Sequence, residues 1–193
     1  MQPKLFDMPE TLPNGLIYRP DFLTPDEEEI LLAYIQNLPL FHAPFREYTA
    51  KRRILNFGWS FDFENKKLIP GPPLPRFLQG TQRKIAKWLQ IPPENVAEAL
   101  ITEYSPGTQL GWHVDGEKFE KIVGVSLGSW SKIRFRPLKN FGEKNDPNDI
   151  VPVELESRSA YVMQGDVRWY WQHSVAPVPD LRYSITFRTL PLQ

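Results

Sequence analysis

The sequence contains no cysteine, and that absence removes disulfide bridges, thiolate metal sites and cysteine nucleophiles together. Histidine is scarce, with three among 193 residues. No stretch approaches the roughly 18 apolar residues of a membrane span. The opening "MQPKLFDMPE" carries an early acid and no apolar core, so neither a span nor a signal peptide is expected. Net charge is missing as well. The 23 basic and 23 acidic residues cancel, which leaves no global field to draw in a polyanion, so any nucleic-acid binding has to be local. A monomer in the reducing cytoplasm is the expected setting, with the nucleus open if the source is eukaryotic.

What is abundant is proline and aromatic surface: 20 prolines and 13% Phe, Trp and Tyr. Prolines punctuate short elements and aromatics cover wide pleated surfaces, which suits a loop-rich β protein better than a helical bundle. The length fits one domain spanning 1–193 with a sizeable core. Residues 24–38, "TPDEEEILLAYIQNL", predict a helix: Thr24 is a natural N-cap, Pro25 suits the first helical position, Glu27 completes a capping box, and Pro39 ends it. Residues 75–90 predict a second, amphipathic helix with Ile85, Trp88 and Leu89 on its apolar side and Gly80 in its first turns.

Between the helices, Phe57, Trp59, Phe61 and Phe63 recur at period two, a strand pattern. From residue 97 onward the text is almost wholly strand-like: "EALITEY", "KIVGVSL", "SKIRFRPL", "IVPVELES", "SAYVMQ", "YWQHSVA" and "RYSITFRTL". Short strands separated by turn signals predict a sandwich or barrel, and "KNFGEKNDPND" (139–149) predicts an exposed loop. The expected class is therefore mainly β (α+β), with N-terminal helices.

The stretch "GWHVDGE" (111–117) sets His113 and Asp115 two apart. On a strand, residues i and i+2 share a face about 6–7 Å apart, so the imidazole and carboxylate would project together. One further ligand completes a 2-His-1-carboxylate set, the arrangement that leaves open positions on a non-haem Fe(II). His173, in "YWQHSVA", supplies it if closure of the barrel brings its strand alongside; His42 is the weaker candidate. A turn-capping His113 and a core His173 would leave the same marks. The last strand, "RYSITFR", puts Arg182, Ser184, Thr186 and Arg188 on one face and Tyr183, Ile185 and Phe187 on the other. The polar face is either solvated or turned into a cavity; buried, its guanidinium groups need anions and suit a small dicarboxylate. "ITEY" places Thr102 and Tyr104 on one face, where the Tyr104 hydroxyl can bind the same anion.

The ordered set Tyr104-x-x-Gly107, His113-x-Asp115, His173 and Arg182-x-Ser184-x-Thr186-x-Arg188 resembles the AlkB family of Fe(II)- and 2-oxoglutarate-dependent dioxygenases. The likeness covers roughly 97–190, and the preceding segment, about 41–74, resembles that family's nucleotide-recognition lid. The resemblance implies a double-stranded β-helix, or jelly roll, with Fe(II) on His113, Asp115 and His173 as the catalytic centre. It implies that Arg182, helped by Tyr104, pairs with the distal carboxylate of 2-oxoglutarate, and that Arg188 lies near its chelating end and near Asp115. Thr102 stands where the family usually carries asparagine, which shortens its reach toward the cosubstrate; Ser184 stands where asparagine is common in the family and serine also occurs.

Members of the family use O2 to hydroxylate an N-linked alkyl carbon on a nucleobase; the product falls apart to an aldehyde and the restored base. The expected partner is thus alkylated nucleic acid, with single-stranded DNA or RNA easier than a duplex because the base must reach the iron, and the expected role is repair of alkylation damage. Phe57 or Trp59 is a candidate stacking platform, with His113 as the opposing wall. Lys51, Arg52 and Arg53 are candidate phosphate contacts, and Glu117 a candidate acid beside the base. Each of these also has a bland reading as lid core or solvated surface. The alternatives are a 2-oxoglutarate dioxygenase hydroxylating or demethylating a protein side chain or small molecule, and a jelly-roll binding module without chemistry.

Overall fold

A computed structural model of the protein describes residues 12–45, 48–139 and 143–192. In chain order it contains β1 (Leu16–Arg19), α1 (Pro25–Ile35), β2 (Phe41–Phe45), β3 (Tyr48–Asp62), β4 (Lys67–Pro70) and α2 (Arg76–Leu89). There follow β5 (Val96–Tyr104), β6 (Leu110–His113), β7 (Ile122–Gly128), β8 (Ser131–Pro137), β9 (Val151–Leu155), β10 (Ala160–Met163), α3 (Gly165–Trp169), β11 (Trp171–Val175) and β12 (Arg182–Thr189). The strands form two antiparallel sheets. The larger runs β1-β10-β7-β12-β5-β3-β2 with β4 on β3; the smaller runs β6-β11-β8-β9. This is the jelly roll expected.

Both predicted helices form. In α1 the Thr24 side chain accepts from the Glu27 amide while the Glu27 carboxylate accepts from the Thr24 amide, which closes the capping box. The helix ends at Ile35, short of the expected 38. The period-two segment divides into β3 and β4. The expected loop over 139–149 falls partly outside the described residues; its base is closed by a Lys139–Asp149 ion pair at 3.3 Å. The strand expected over "YWQHSVA" forms as β11, beginning at Trp171 just after α3.

The alternation of β12 organises both cores. Tyr183, Ile185 and Phe187 face the helices, packing with Leu31, Ile35, Leu78, Ile85, Ala99 and Ile101. A second cluster, with Phe119, Ile122, Ile133, Phe135, Val153 and Leu155, joins the two sheets. The polar set Arg182, Ser184, Thr186 and Arg188 thereby turns away from the helices toward the space between the sheets. Burial of Arg182 (2% exposed) removes the solvated alternative that its strand left open.

One glycine resets the pattern in β3. Gly58 has φ +79°, a left-handed conformation that favours glycine, and its amide donates to the Pro72 carbonyl. Before it, Leu55 and Phe57 pack on the helix-side cluster; after it, Phe61 packs on the inter-sheet cluster. The strand thus changes which residues face inward at Gly58. A Cβ there would lie 2.0 Å from the Ala97 carbonyl oxygen, whereas a Cβ on the exposed Gly80 in α2 meets nothing within 4 Å. Gly58→Ala should therefore destabilise the fold by about 2 kcal/mol or more. Gly80→Ala should stabilise it by about 0.5–1 kcal/mol through helix propensity. Urea unfolding of the two variants checks both signs; equal shifts would refute the role given to Gly58.

Candidate active site

Residues His113, Asp115 and His173 come together: one ligand atom from each lies within 4.8 Å of the others, the only such His/Cys/Asp/Glu cluster among the described residues. His113 ends β6 and pairs with His173 on β11, and their ring centroids are 4.1 Å apart. Asp115 lies beyond the end of β6, so the pair does not share one strand face as the spacing predicted. The glycine after it leaves room for a neighbour: Gly116 lies against the Phe61 side chain, where a Cβ would come within 2.5 Å.

The electrostatics favour a metal ligand set. The His113 Nδ1 lies 2.9 Å from the Gly111 carbonyl oxygen. A carbonyl only accepts, so Nδ1 carries the proton and Nε2 keeps its lone pair for the cluster. Burial, with the neighbouring His113, pushes the His173 pKa down to about 3, which keeps its imidazole neutral. With the imidazole neutral, the 3.5 Å approach of His173 Nε2 to Asp115 Oδ2 is not an ion pair, and both atoms can offer a lone pair to one cation. Burial is the largest influence on the Asp115 pKa and would raise it, yet the charge and hydrogen bonds of Arg188, together with His173 and His113, hold the carboxyl well below its usual range. Arg188 donates from Nε (2.8 Å) and Nη2 (2.6 Å) to Asp115 Oδ1, and from Nη1 to Glu98 Oε2 at 3.0 Å. Glu98, which the sequence did not single out, has its pKa raised by burial despite that partner.

Opposite these, β12 pairs with β5 so that Arg182 stands beside Tyr104 and Ser184 beside Thr102, all four buried. The Arg182 guanidinium lies over the Tyr104 ring at 5.2 Å and donates from Nε to Ser126 Oγ at 3.3 Å. Ser126 is a neighbour that only the register of β7 against β12 reveals. Tyr161 is another. Its ring lies over Gly124, where a Cβ would come within 2.3–2.6 Å of ring carbons and hydroxyl, and burial with the nearby Asp115 charge raises its pKa. Arg168 is a third: it donates from Nη2 to the Gly116 and Phe119 carbonyl oxygens (2.7 and 2.8 Å), pinning the turn behind Asp115.

Two buried polar atoms on this face have no partner, Asp115 Oδ2 and Arg182 Nη1. A buried lone acceptor and a buried lone cationic donor are each costly. A metal cation against the first and a carboxylate against the second satisfy both, so the residues fit Fe(II) on the triad and 2-oxoglutarate reaching from it to Arg182.

The other candidates are distributed unevenly. His42 is exposed, with Nδ1 3.1 Å from the Ala50 carbonyl oxygen, and stands outside the cluster. Phe57 packs on the helix side, so it is not placed as a platform opposite His113; Phe61 takes the inner position, and Trp59, 39% exposed, shares its face two residues earlier. Arg53 is committed to Glu103 through a bidentate pair, 2.7 Å at each oxygen, and Glu103 also accepts from the Tyr183 hydroxyl. That pairing removes Arg53 as a phosphate contact. Arg52 projects to the opposite face of β3, half-buried, while Lys51 and Glu117 are exposed.

The model of the 2OG-Fe(II) oxygenase superfamily matches residues 15–188. The tRNA (carboxymethyluridine(34)-5-O)-methyltransferase ALKBH8 of Macaca fascicularis is 30% identical over 173 residues, covering 86% of this chain and 25% of that protein. The probable RNA/DNA demethylase ALKBH6 of Danio rerio is 25% identical, covering 86% and 71% respectively. The RNA demethylase ALKBH9B of Arabidopsis thaliana is 26% identical, covering 78% and 32%. The chain thus spans about a quarter of the length of the ALKBH8 proteins. Among solved structures, OsALKBH1 superposes with a TM-score of 0.70 over 93% of this chain and 99% of that one, at 17% identity, which is a likeness of fold.

Two outcomes test the site. His113→Ala, Asp115→Ala and His173→Ala should each abolish stoichiometric binding of Mn(II), a redox-silent probe, while His42→Ala should leave it intact; equal loss in His42→Ala would overturn the ligand assignment. Removing Arg182 would strand a buried carboxylate, costing roughly 3–5 kcal/mol. By calorimetric titration, Arg182→Ala should therefore bind 2-oxoglutarate on the order of a hundred- to a thousand-fold more weakly. Arg182→Lys should recover only part of that, since an ammonium lacks the planar fork.

Proposed function

We propose, because this chain belongs to the 2OG-Fe(II) oxygenase superfamily and within it to the AlkB family, that it is a dioxygenase removing N-linked alkyl groups from nucleobases in single-stranded DNA or RNA, with repair of alkylation damage as its role. The observation that carries this reading is the three-ligand cluster together with a buried guanidinium whose Nη1 has no partner. When bound there, Fe(II), 2-oxoglutarate and O2 supply the oxidising chemistry that places a hydroxyl on the alkyl carbon, after which aldehyde and restored base separate.

The chain's own residues do the rest. Arg182 and Tyr104 hold a carboxylate, with the buried hydroxyls of Thr102 and Ser184 beside them. Arg188 fixes one oxygen of Asp115 and leaves the other aimed at the cluster. Gly111 fixes the His113 ring, which stays half-exposed and so offers a flat surface next to the metal position. Trp59 and Phe61 on β3 supply aromatic surface on the same side, and Arg52 shares the face of Ile54 and Asn56 that leads to Thr102. Aromatic walls flanking a metal suit a planar, unstacked base. Names given to ALKBH6 and ALKBH9B point to the same substrate class.

A panel of methylated DNA and RNA oligonucleotides and free nucleosides, assayed by mass spectrometry for base restoration with iron and 2-oxoglutarate, tests the reading. Restoration on single strands is the expected result. Trp59→Ala should weaken the methylated oligonucleotide by roughly 1–3 kcal/mol with little dependence on salt. If no oligonucleotide binds at any salt and none stimulates succinate release, the substrate is a protein or small molecule and the nucleobase reading falls, while the dioxygenase stands.

A further inference from the structure

We propose that the outer face of the smaller sheet carries a phosphate-binding site, built from Arg134 and Arg136 over the Trp112 ring, that holds the backbone of the nucleic-acid strand whose base enters the cavity. This rests on the nucleobase reading above.

Strand alternation puts the site there. His113 turns inward to the metal cluster, so Trp112 turns outward from β6, which is an edge strand of its sheet. On β8, Ile133 and Phe135 fill the inter-sheet core while Lys132, Arg134 and Arg136 face out. Both guanidinium groups reach across β11 to the same indole, 4.1 Å from its centroid for Arg136 and 5.3 Å for Arg134. Stacking on an indole fixes a guanidinium without using its N–H groups.

The hydrogen bonds leave a vacant edge on each. Arg136 donates from Nε to Gln172 Oε1 (2.9 Å) and Arg134 from Nε to the fully buried Ser174 Oγ (3.0 Å). Both acceptors are neutral. Among the described residues, no Nη atom of either arginine has a hydrogen-bond partner, and no carboxylate pairs with either. Lys132, next along the same face, is different: it is paired with Glu154 at 3.2 Å. Two like charges about 6–7 Å apart along one strand repel, and the Arg136 pKa is lowered by burial and by Arg134. Two preoriented forks without a counter-ion are what a phosphodiester requires. Their position one strand's thickness from His113 suits a single strand passing over the β6 edge.

The test is fluorescence anisotropy of unmodified single-stranded RNA and DNA across a salt series, with polyglutamate as a competing anion and 2-oxoglutarate affinity as the check on folding. For wild type, log affinity should fall linearly with log salt. In R134Q/R136Q the slope should be shallower by about 1.4, because each phosphate contact on a single strand contributes about 0.7. Affinity at low salt should drop about ten-fold or more, with Lys132→Ala unchanged. R134K/R136K should keep the slope but bind more weakly, having charge without the fork. If wild type binds oligonucleotides and R134Q/R136Q matches it in slope and affinity, the site is overturned and the nucleobase reading survives. If R134Q/R136Q loses only polyglutamate, the face takes an acidic protein and the proposal is equally overturned. If wild type binds no oligonucleotide, the nucleobase reading itself has failed and takes the site with it.

Discussion

The ion network of Asp115, Arg188 and Glu98 is the constraint on which the site depends. A carboxylate that is to be a metal ligand inside a protein must be buried and yet stay ionised, and burial alone opposes that. Arg188 resolves the conflict by giving two N–H groups to one oxygen of Asp115 and its third to Glu98. The second oxygen of Asp115 is left bare. Arg188 cannot move without disturbing β12, because the strand that carries it is paired on both sides, to β5 and to β7. The position of the metal ligand is therefore set from the centre of the larger sheet, although the histidines beside it belong to the smaller one.

The same strand explains why the cosubstrate end and the metal end lie on one surface. With period two, whatever fixes Arg188 inward also fixes Arg182, Ser184 and Thr186 inward, and sends Tyr183, Ile185 and Phe187 to the helices. A slip of one residue would exchange the two sets, exposing arginines to the helix-side core and apolar rings to the cavity. Helices α1 and α2 thus matter to the chemistry indirectly: the apolar cluster they cover specifies the register that aims the guanidinium groups.

What could be read in the sequence was what depends on short range. The capping box of α1 and the alternation of β12 follow from residues within a few positions of one another, whereas which face of β12 is buried does not. The ligand triad was legible because three histidines left few choices. What could not be read depends on pairing across the chain. Arg53 looked available until β3 met β5 and delivered it to Glu103, fifty residues away. Phe57 and Trp59 looked equivalent because period two treats them so; the positive φ of Gly58 separates them, and that depends on Ala97 and Pro72 closing around the glycine. Glu98, Ser126, Tyr161 and Arg168 carried no local signal at all, since each acquires its meaning from a strand or turn it meets only in the fold.

Thr102 and Ser184 show how such partners alter a reading made residue by residue. Taken singly, each is a short hydroxyl residue where a longer amide is common, and Thr102 in particular suggests a shorter reach toward the cosubstrate. In the fold the two are directly paired neighbours on β5 and β12, and Ser184 in turn pairs with Ser126 on β7. Three small hydroxyl residues abreast leave one face of the sheet low. The next rung holds Gly124, and the Tyr161 ring of β10 lies across it. The volume given up by the short side chains is thus bordered by a large one from a strand two places away. The charges of Asp115 and Arg182 both act on the Tyr161 hydroxyl, in opposite senses. The surroundings of Arg182 are consequently a property of four strands together, and no substitution at Thr102 or Ser184 can be judged apart from Gly124 and Tyr161.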